Sequence, residues 1–328
     1  MILIVGGAGY IGSAVNKILN NIGYETIVFD NLSNGHIELV KWGKFYKGDL
    51  ANISDIENVF IQNHIDCVMH FSAFAYVGES VENPAKYYRN NVSNTLNLLD
   101  VMIKYGVKRF IFSSTCAVYG IPSEIPIPEN HPLNPLNPYG MTKFMVEKIL
   151  KDYDKSYGLK YVSFRYFNAS GADPSAEIGE WHEPETHLIP LAIYNAIGLR
   201  EYITVFGTDY PTPDGTCVRD YIHVNDIAKA HILGMEYLKS NNRSDFFNLG
   251  NGDGFSVREI LDIVEKITGK KLNIVYGNRR EGDPPFLVGS SKKAKDVLGW
   301  EPEFNNIYDI IETAYKWHLK NKNNVLKV

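Results

Sequence analysis

Short apolar runs alternate with amphipathic stretches through the first half of the chain. Ile2 to Val5 reads as a buried strand, and the segment from about Tyr10 to Asn20 as a helix. Thr26 to Phe29 is the next strand and ends at Asp30. Phe45-Tyr46 is short and extended. Ser54 to Gln62 begins with an N-cap residue and reads helical, and Cys67 to Phe71 is again a strand. Pro84 to Tyr105 carries one long helical pattern that stops at Gly106. Arg109 to Ser113 is a strand. Asn137 suits an N-cap and Pro138 the first helical position, so a helix is expected from there to about Tyr157, with Gly158 as its stop. Tyr161 to Phe164 follows as a strand. Such alternation of apolar strands with helices predicts a parallel sheet covered on both faces.

After Asn168 the rhythm changes. Gly171 to Pro190 is rich in loop residues. Helices are expected near His187 to Ala196, Asn225 to Lys239, Ser256 to Thr268 and Asn306 to Lys320, with short strands between them. The expected fold is α/β, a Rossmann-like doubly wound parallel sheet over residues 1–170. A smaller α+β region over 171–328 would bind substrate, with some of its segments returning to the first. The tail Lys320 to Val328 is polar, aperiodic and expected to fray.

Gly6-Gly7-Ala8-Gly9-Tyr10-Ile11-Gly12 stands between the first strand and the first helix. Gly7, Gly9 and Gly12 satisfy one dinucleotide spacing, and Gly6, Gly9 and Gly12 a wider one. Glycines let backbone turn tightly and approach a pyrophosphate seated on a helix N-terminus. Asp30 lies 18 residues beyond Gly12, where an acid accepts bonds from ribose hydroxyls and repels a 2′-phosphate. The next residues are Asn31-Leu32-Ser33, with no arginine among them, which favours NAD over NADP. Asp49-Leu50 and Phe71-Ser72-Ala73 follow later strand ends, at the sheet edge where such folds bind ligands.

Tyr139 and Lys143 are four apart on the expected helix and share a face. An ammonium beside a phenol favours the phenolate, so Lys143 is expected to lower the Tyr139 pKa and make it a general base. Thr115 follows a strand and offers a hydroxyl to the reacting oxygen. Ser113 and Ser114 are neighbouring alternatives whose simpler role is local capping. Together these features point to a nicotinamide enzyme that oxidises an alcohol.

Composition narrows the partners. The 328 residues are 45% hydrophobic and 22% charged, with a net charge of −5, which suits a globular protein and argues against nucleic acid. Cys67, Cys116 and Cys217 are too few and scattered for a disulfide framework or a metal site, so no metal is expected. No apolar run approaches the length of a membrane span, and Met1 to Val5 lacks the basic start of a signal peptide. A cytoplasmic location is the expectation.

At these residues the chain resembles the extended short-chain dehydrogenase/reductase superfamily, and within it the UDP-galactose (UDP-glucose) 4-epimerases. The resemblance extends along nearly the whole chain. It includes Gly6 to Gly12, Val77 to Ser80, Lys86-Tyr87-Tyr88 with Asn90-Asn91, Tyr139 to Lys143 and Arg165 to Asn168. It continues through Val218 to Val224, Asn248-Leu249-Gly250 and Arg280-Glu281-Gly282-Asp283. The resemblance implies a catalytic set of Thr115, Tyr139 and Lys143. It implies NAD contacts from Gly6, Gly9, Tyr10, Ile11, Gly12, Asp30 and Asn31. Further NAD contacts would come from Asp49, Leu50, Phe71, Ser72, Ala73, Asn90, Tyr139, Lys143 and Tyr166. Thr115, Tyr139, Asn168, His187, Leu188, Arg219, Arg280, Asp283 and Leu287 would meet a UDP-sugar, the two arginines at its diphosphate. The implied reaction oxidises the sugar at carbon 4, turns the keto intermediate over and reduces its other face. The resemblance also implies a homodimer.

Three positions depart from the family pattern. Ala75 stands where many members carry a lysine, Thr115 where serine is usual, and Leu287 where residue size limits the sugar. N-acetylhexosamine or pentose versions of the reaction would use the same residues. Dehydratases of the superfamily place Asp-Glu after the threonine, and here Cys116-Ala117 follows. A non-catalytic NAD-binding sensor is the alternative from another class; it has no need of Thr115, Tyr139 and Lys143 together.

Overall fold

The computed structural model describes residues 1–280 and 283–322. The six expected strands of the first half all form. β1 (Ile2–Val5) leads through the glycine turn into α1 (Tyr10–Asn21). β2 (Thr26–Asp30) is buried along its length, whereas β3 (Lys44–Lys47) exposes a lysine at each end, as an edge strand should. α2 (Ile53–Gln62) is capped by Asn52, not Ser54. The Asn52 backbone is extended and its side chain accepts from the Ser54 N–H.

β4 (Cys67–His70) is followed by α3 (Val77–Glu82), a helix the pattern did not announce, and by α4 (Pro84–Tyr87). A wide π-wound turn at Tyr88–Ser93 joins α4 to α5 (Asn94–Lys104). The single helix expected from Pro84 is thus interrupted by a π bulge, a feature frequent at functional sites. β5 (Arg109–Thr115) extends two residues further than expected and includes Thr115 itself. α6 (Pro138–Tyr157) has its expected ends: Asn137 Oδ1 accepts from Gly140 N at 2.9 Å, and Gly158 takes a left-handed φ of 68°. β6 (Lys160–Tyr166) closes the first half.

The second half holds β7 (Asn168–Ser170), α7 (Leu188–Ala196), β8 (Ile203–Phe206), β9 (Val218–Arg219) and β10 (Tyr221–His223). It continues with α8 (Val224–Asn241), β11 (Asp245–Leu249), β12 (Phe255–Ser256) and α9 (Val257–Thr268), the last opened by a Ser256–Glu259 capping box. β13 (Ile274–Gly277), β14 (Phe286–Leu287), α10 (Lys292–Leu298) and α11 (Ile307–Lys320) complete it. Glu281, Gly282 and residues 323–328 of the tail lie outside the described residues.

The main sheet is parallel, in the order β3-β2-β1-β4-β5-β6-β11. The fold is therefore the doubly wound α/β class. β11 comes from the second half and pairs with β6, while α8 packs against α1 and β6. One face buries Leu3, Ile27, Val68 and Phe110 against Leu98, Met102, Val146 and Leu150. The other buries Ile2, Ile4, Met69 and Phe164 against Val15, Leu19, Ile227 and Met235. A separate core joins α7, α9 and α11 over β8. Strand order reverses between β1 and β4, which opens a crevice at the carboxyl ends of those strands.

Candidate active site

The glycine turn uses the wider of the two spacings. Gly9 N donates to Gly6 O at 3.2 Å, and a Cβ on Gly12 would stand 2.4 Å from that same oxygen. Gly6 has φ 80°, and a Cβ there would lie 2.5 Å from Ser72 N. Gly7 instead faces Val28 and Ile4 in the core. At Gly9 a Cβ would meet only Gly6 O, at 3.4 Å, so its outer side opens on space before the N-terminus of α1. That helix start has no side-chain cap. Uncapped N–H groups at a glycine that a side chain would obstruct suit a dinucleotide pyrophosphate.

A pocket beside this turn is lined by Asp30, Asn31, Asp49, Leu50, Ser72 and Asn90, together with Val5, Phe29 and Gly48. All six of the first group were expected as cofactor contacts. Asp30 accepts from Ala8 N at 3.0 Å and Leu32 N at 2.8 Å. Burial raises its pKa, and those two N–H groups work against the rise. Asn31 donates to Asp49 at 2.9 Å and links the two strand ends. Phe71 and Ala73 flank Ser72 on the segment after β4. The side chains of Tyr10 and Ile11 pack into a side cluster, where the Tyr10 hydroxyl donates to Gly171 O at 2.6 Å, while their backbones form the uncapped start of α1.

α6 delivers Tyr139 to the end of β5. Gly140 makes this possible, since a Cβ there would lie 2.6 Å from Ala117 O, in the turn that follows Thr115. Thr115 Oγ1 accepts from Ala117 N at 3.1 Å. The expected effect of Lys143 on Tyr139 is not what the chain produces. Burial pushes the phenol up to about 12; the Thr115 hydroxyl pulls it partly back. Lys143 is itself pushed down by burial, to about 7. Its Nζ donates to Ser113 O at 2.7 Å and lies 4.9 Å from the Phe112 ring centroid. Sequence spacing gave the shared helix face but not the desolvation that reverses the effect. Tyr166 contacts Ser113 through its hydroxyl, which ties β6 to β5 beside Lys143.

Behind this edge lies a satisfied polar network. Ser114 Oγ donates to Glu147 at 2.7 Å, and Arg165 binds both oxygens of Glu147, at 2.9 and 2.6 Å. Arg165 also donates to the Tyr119 hydroxyl at 3.0 Å, and that hydroxyl donates to Asn248 at 2.7 Å. Burial lowers the Arg165 pKa, but Glu147 more than offsets it and holds the guanidinium above its ordinary value. Ser113 and Ser114 therefore serve the frame, which leaves Thr115 as the strand-end hydroxyl beside Tyr139.

The expected substrate residues divide into two groups. Parallel pairing of β14 with β9 sets Leu287 beside Arg219, and Asn168 N donates to Asp220 O at 3.0 Å one residue on. Leu287 packs onto Val118, Tyr119, Ile127 and Phe167. Arg219 donates to Asp283 at 2.7 Å and to the carbonyls of Val218 and Pro284. Arg280 O accepts from Asp283 N at 3.3 Å, and its guanidinium lies 4.2 Å from the Phe206 ring centroid. His187 precedes α7 and Leu188 opens it, but His187 makes no cap bond; its Nδ1 faces Glu180 and Glu185.

A profile of the NAD dependent epimerase/dehydratase family matches residues 2–250. The chain belongs to that family. Its cofactor is NAD, and the cradle at Gly6, Gly9 and Gly12 suits it. The chain is 52% identical to a UDP-glucose 4-epimerase of Rhizobium meliloti (strain 1021) over 317 residues, which cover 97% of this chain and 96% of that one. It resembles the crystal structure of the Brucella ovis UDP-glucose 4-epimerase in complex with NAD, at 48% identity and TM-score 0.94, covering 96% of this chain and 98% of that one. It also resembles the Bifidobacterium longum UDP-glucose 4-epimerase in complex with NAD+ and UDP. That match has 39% identity and TM-score 0.92 and covers 98% of this chain and 99% of that one.

For a member of the NAD dependent epimerase/dehydratase family, the supporting roles of some residues escaped the sequence reading. Asn91, in the π-wound turn, donates to Phe74 O at 2.9 Å and accepts from Phe74 N at 2.9 Å. It also donates to Thr142 at 3.1 Å, which pins the segment after β4 to α6. Its neighbour Asn90 faces the cofactor pocket. An Asn-Asn pair inside a helical pattern was the available signal, because asparagine disfavours regular helix. Glu147, four residues beyond Lys143, did not enter the sequence reading at all.

Proposed function

We propose that this chain is a UDP-glucose 4-epimerase, interconverting UDP-galactose and UDP-glucose. The observation that carries the reading is Tyr139 held beside Thr115 at the end of β5, with Lys143 buried one turn further along the same helix. Tyr139 takes the proton of the sugar 4-hydroxyl as a phenolate and later returns it; since burial holds the phenol up, the positive charge of bound NAD together with that of Lys143 would have to bring it down. The Thr115 hydroxyl bonds the same oxygen and steadies the proton between them. Lys143 supplies a nearby charge whose proton is held weakly, because burial has already lowered its affinity. NAD, when bound, supplies the hydride acceptor for sugar carbon 4.

Cys116 and Ala117 follow Thr115, and neither offers a carboxyl group to expel water, so the chemistry stops at inversion. Arg219, Arg280 and Asp283 would engage the UDP portion, which requires Arg219 and Asp283 to exchange their mutual ion pair for substrate. Asn168, Leu287, His187 and Leu188 would border the sugar and diphosphate. In this reading the enzyme is a cytoplasmic homodimer of galactose metabolism. Among the described residues no helix is long and apolar enough to cross a membrane.

The test is incubation of purified protein with UDP-galactose, without added NAD, and separation of the products. UDP-glucose is the expected product. Failure to convert UDP-galactose, UDP-N-acetylgalactosamine or a UDP-pentose would remove the reading. Conversion of the N-acetylated sugar alone would shift it to that substrate and point to Leu287 as the wall that admits it.

A further inference from the structure

The loop before α7 gathers two carboxylates and two imidazoles. His182 Nδ1 lies 3.3 Å from Glu180 Oε1 and 3.6 Å from Glu185 Oε2. His187 Nδ1 lies 2.9 Å from Glu180 Oε1 and 2.8 Å from Glu185 Oε1. One ligand atom from each of the four falls within 4.8 Å of every other. The Glu180 and Glu185 side chains are 6% and 4% exposed.

Hydrogen bonding accounts for only part of this arrangement. Glu185 Oε2 and His182 Nδ1 are fully shielded from solvent, yet neither makes a hydrogen bond of acceptable geometry. A ring nitrogen carries one N–H at most, and His187 Nδ1 confronts two carboxylate oxygens at nearly equal range. Buried polar atoms are otherwise almost always paired.

We propose that Glu180, His182, Glu185 and His187 bind one divalent metal ion of the zinc class. Bonds of roughly 2.0–2.2 Å to nitrogen and oxygen in a tetrahedron put neighbouring donors roughly 3.3–3.6 Å apart. The four imidazole–carboxylate separations of 2.8–3.6 Å need only small adjustment to reach that range, and no two donors lie more than 4.8 Å apart. Two imidazoles with two carboxylates form a borderline donor set that suits zinc better than magnesium or calcium, which favour all-oxygen shells. A divalent ion would also neutralise the two buried carboxylates. This departs from the expectation, drawn from the scattered cysteines, that the chain has no metal site.

The ion would act as a clasp. The His182 ring stands edge-on to Tyr10, the first residue of α1, and to Tyr76, in the segment before α3, with centroids 6.3 Å apart in each case. Trp181 stacks on His36 at 3.8 Å. Fixing residues 180–187 would thereby fix the approach to α7 against the cofactor side of the fold.

The test uses tag-free, full-length protein treated with a chelator and then dialysed against zinc. One zinc per chain is expected. His182→Ala and Glu185→Gln should each weaken binding by more than the ~10–100-fold typical of losing an outer-shell partner. Should either variant fold poorly, cobalt(II) added to the wild-type protein decides the matter. A strong visible band of a four-coordinate N/O site supports the clasp. Absence of that band, or zinc binding no tighter in wild type than in a folded variant, overturns it.

Discussion

Two buried cations serve the carboxyl end of β5, and their surroundings differ. Arg165 is answered by both oxygens of Glu147 and by the Tyr119 hydroxyl. Lys143 has the Ser113 carbonyl and the face of Phe112, and its pKa falls to about 7. A buried charge with a full set of partners is a fixed part of the frame. A buried charge left without a counter-ion is costly to the fold, and such groups concentrate where chemistry occurs. The frame therefore belongs to Arg165 and the reaction to the side of β5 that Lys143 and Tyr139 share.

The largest effect expected from this contrast is on stability. Arg165→Met leaves Glu147 buried without its partner and should destabilise the protein by ~3–5 kcal/mol, read from urea unfolding. Adding Glu147→Leu should restore much of the loss. Equal losses in the single and double variants would mean that the ion pair is not what matters.

Activity should respond on the other side. Thr115→Val keeps the shape of the side chain and deletes its hydroxyl, so turnover should drop by ~10²-fold, while the unfolding midpoint falls only by the loss of the Ala117 N–H bond. An unchanged rate would return the hydroxyl role to Ser113 or Ser114, against the contacts they make.

A third effect is a pH dependence. Lys143 holds its proton less tightly when folded, with a pKa of about 7 against an ordinary 10.5. Between those values the unfolded chain binds the extra proton, so this residue makes stability rise with pH across that window. Lys143→Met removes the term. The variant should be the more stable protein near pH 7 and lose that advantage steadily towards pH 10.5. A constant gap would place Lys143 in a more polar setting than its contacts indicate.

What the amino-acid order revealed follows the same division. Gly6, Gly9, Gly12 and Asp30 were readable because a turn, a helix start and a strand end are local events. Asn137 and Gly158 marked the ends of α6 for the same reason. The pairing of Arg219 with Asp283 spans 64 positions, and Arg165 with Glu147 joins a strand to a helix. Such partners meet only after the sheet assembles. That segments of the second half return to the first was expected, but that β11 is one of them was hidden, because a short apolar run does not announce its neighbour. For Lys143, position four after Tyr139 was visible, but the burial that reverses its expected influence depends on residues from β5.

The account rests on Tyr139 as the group that moves the sugar proton. Its most direct test is Tyr139→Phe, with bound NAD measured and conversion of UDP-galactose followed. Full NAD content with turnover lower by ~10³-fold or more is the predicted result. Full NAD content with turnover within about tenfold of wild type would contradict it.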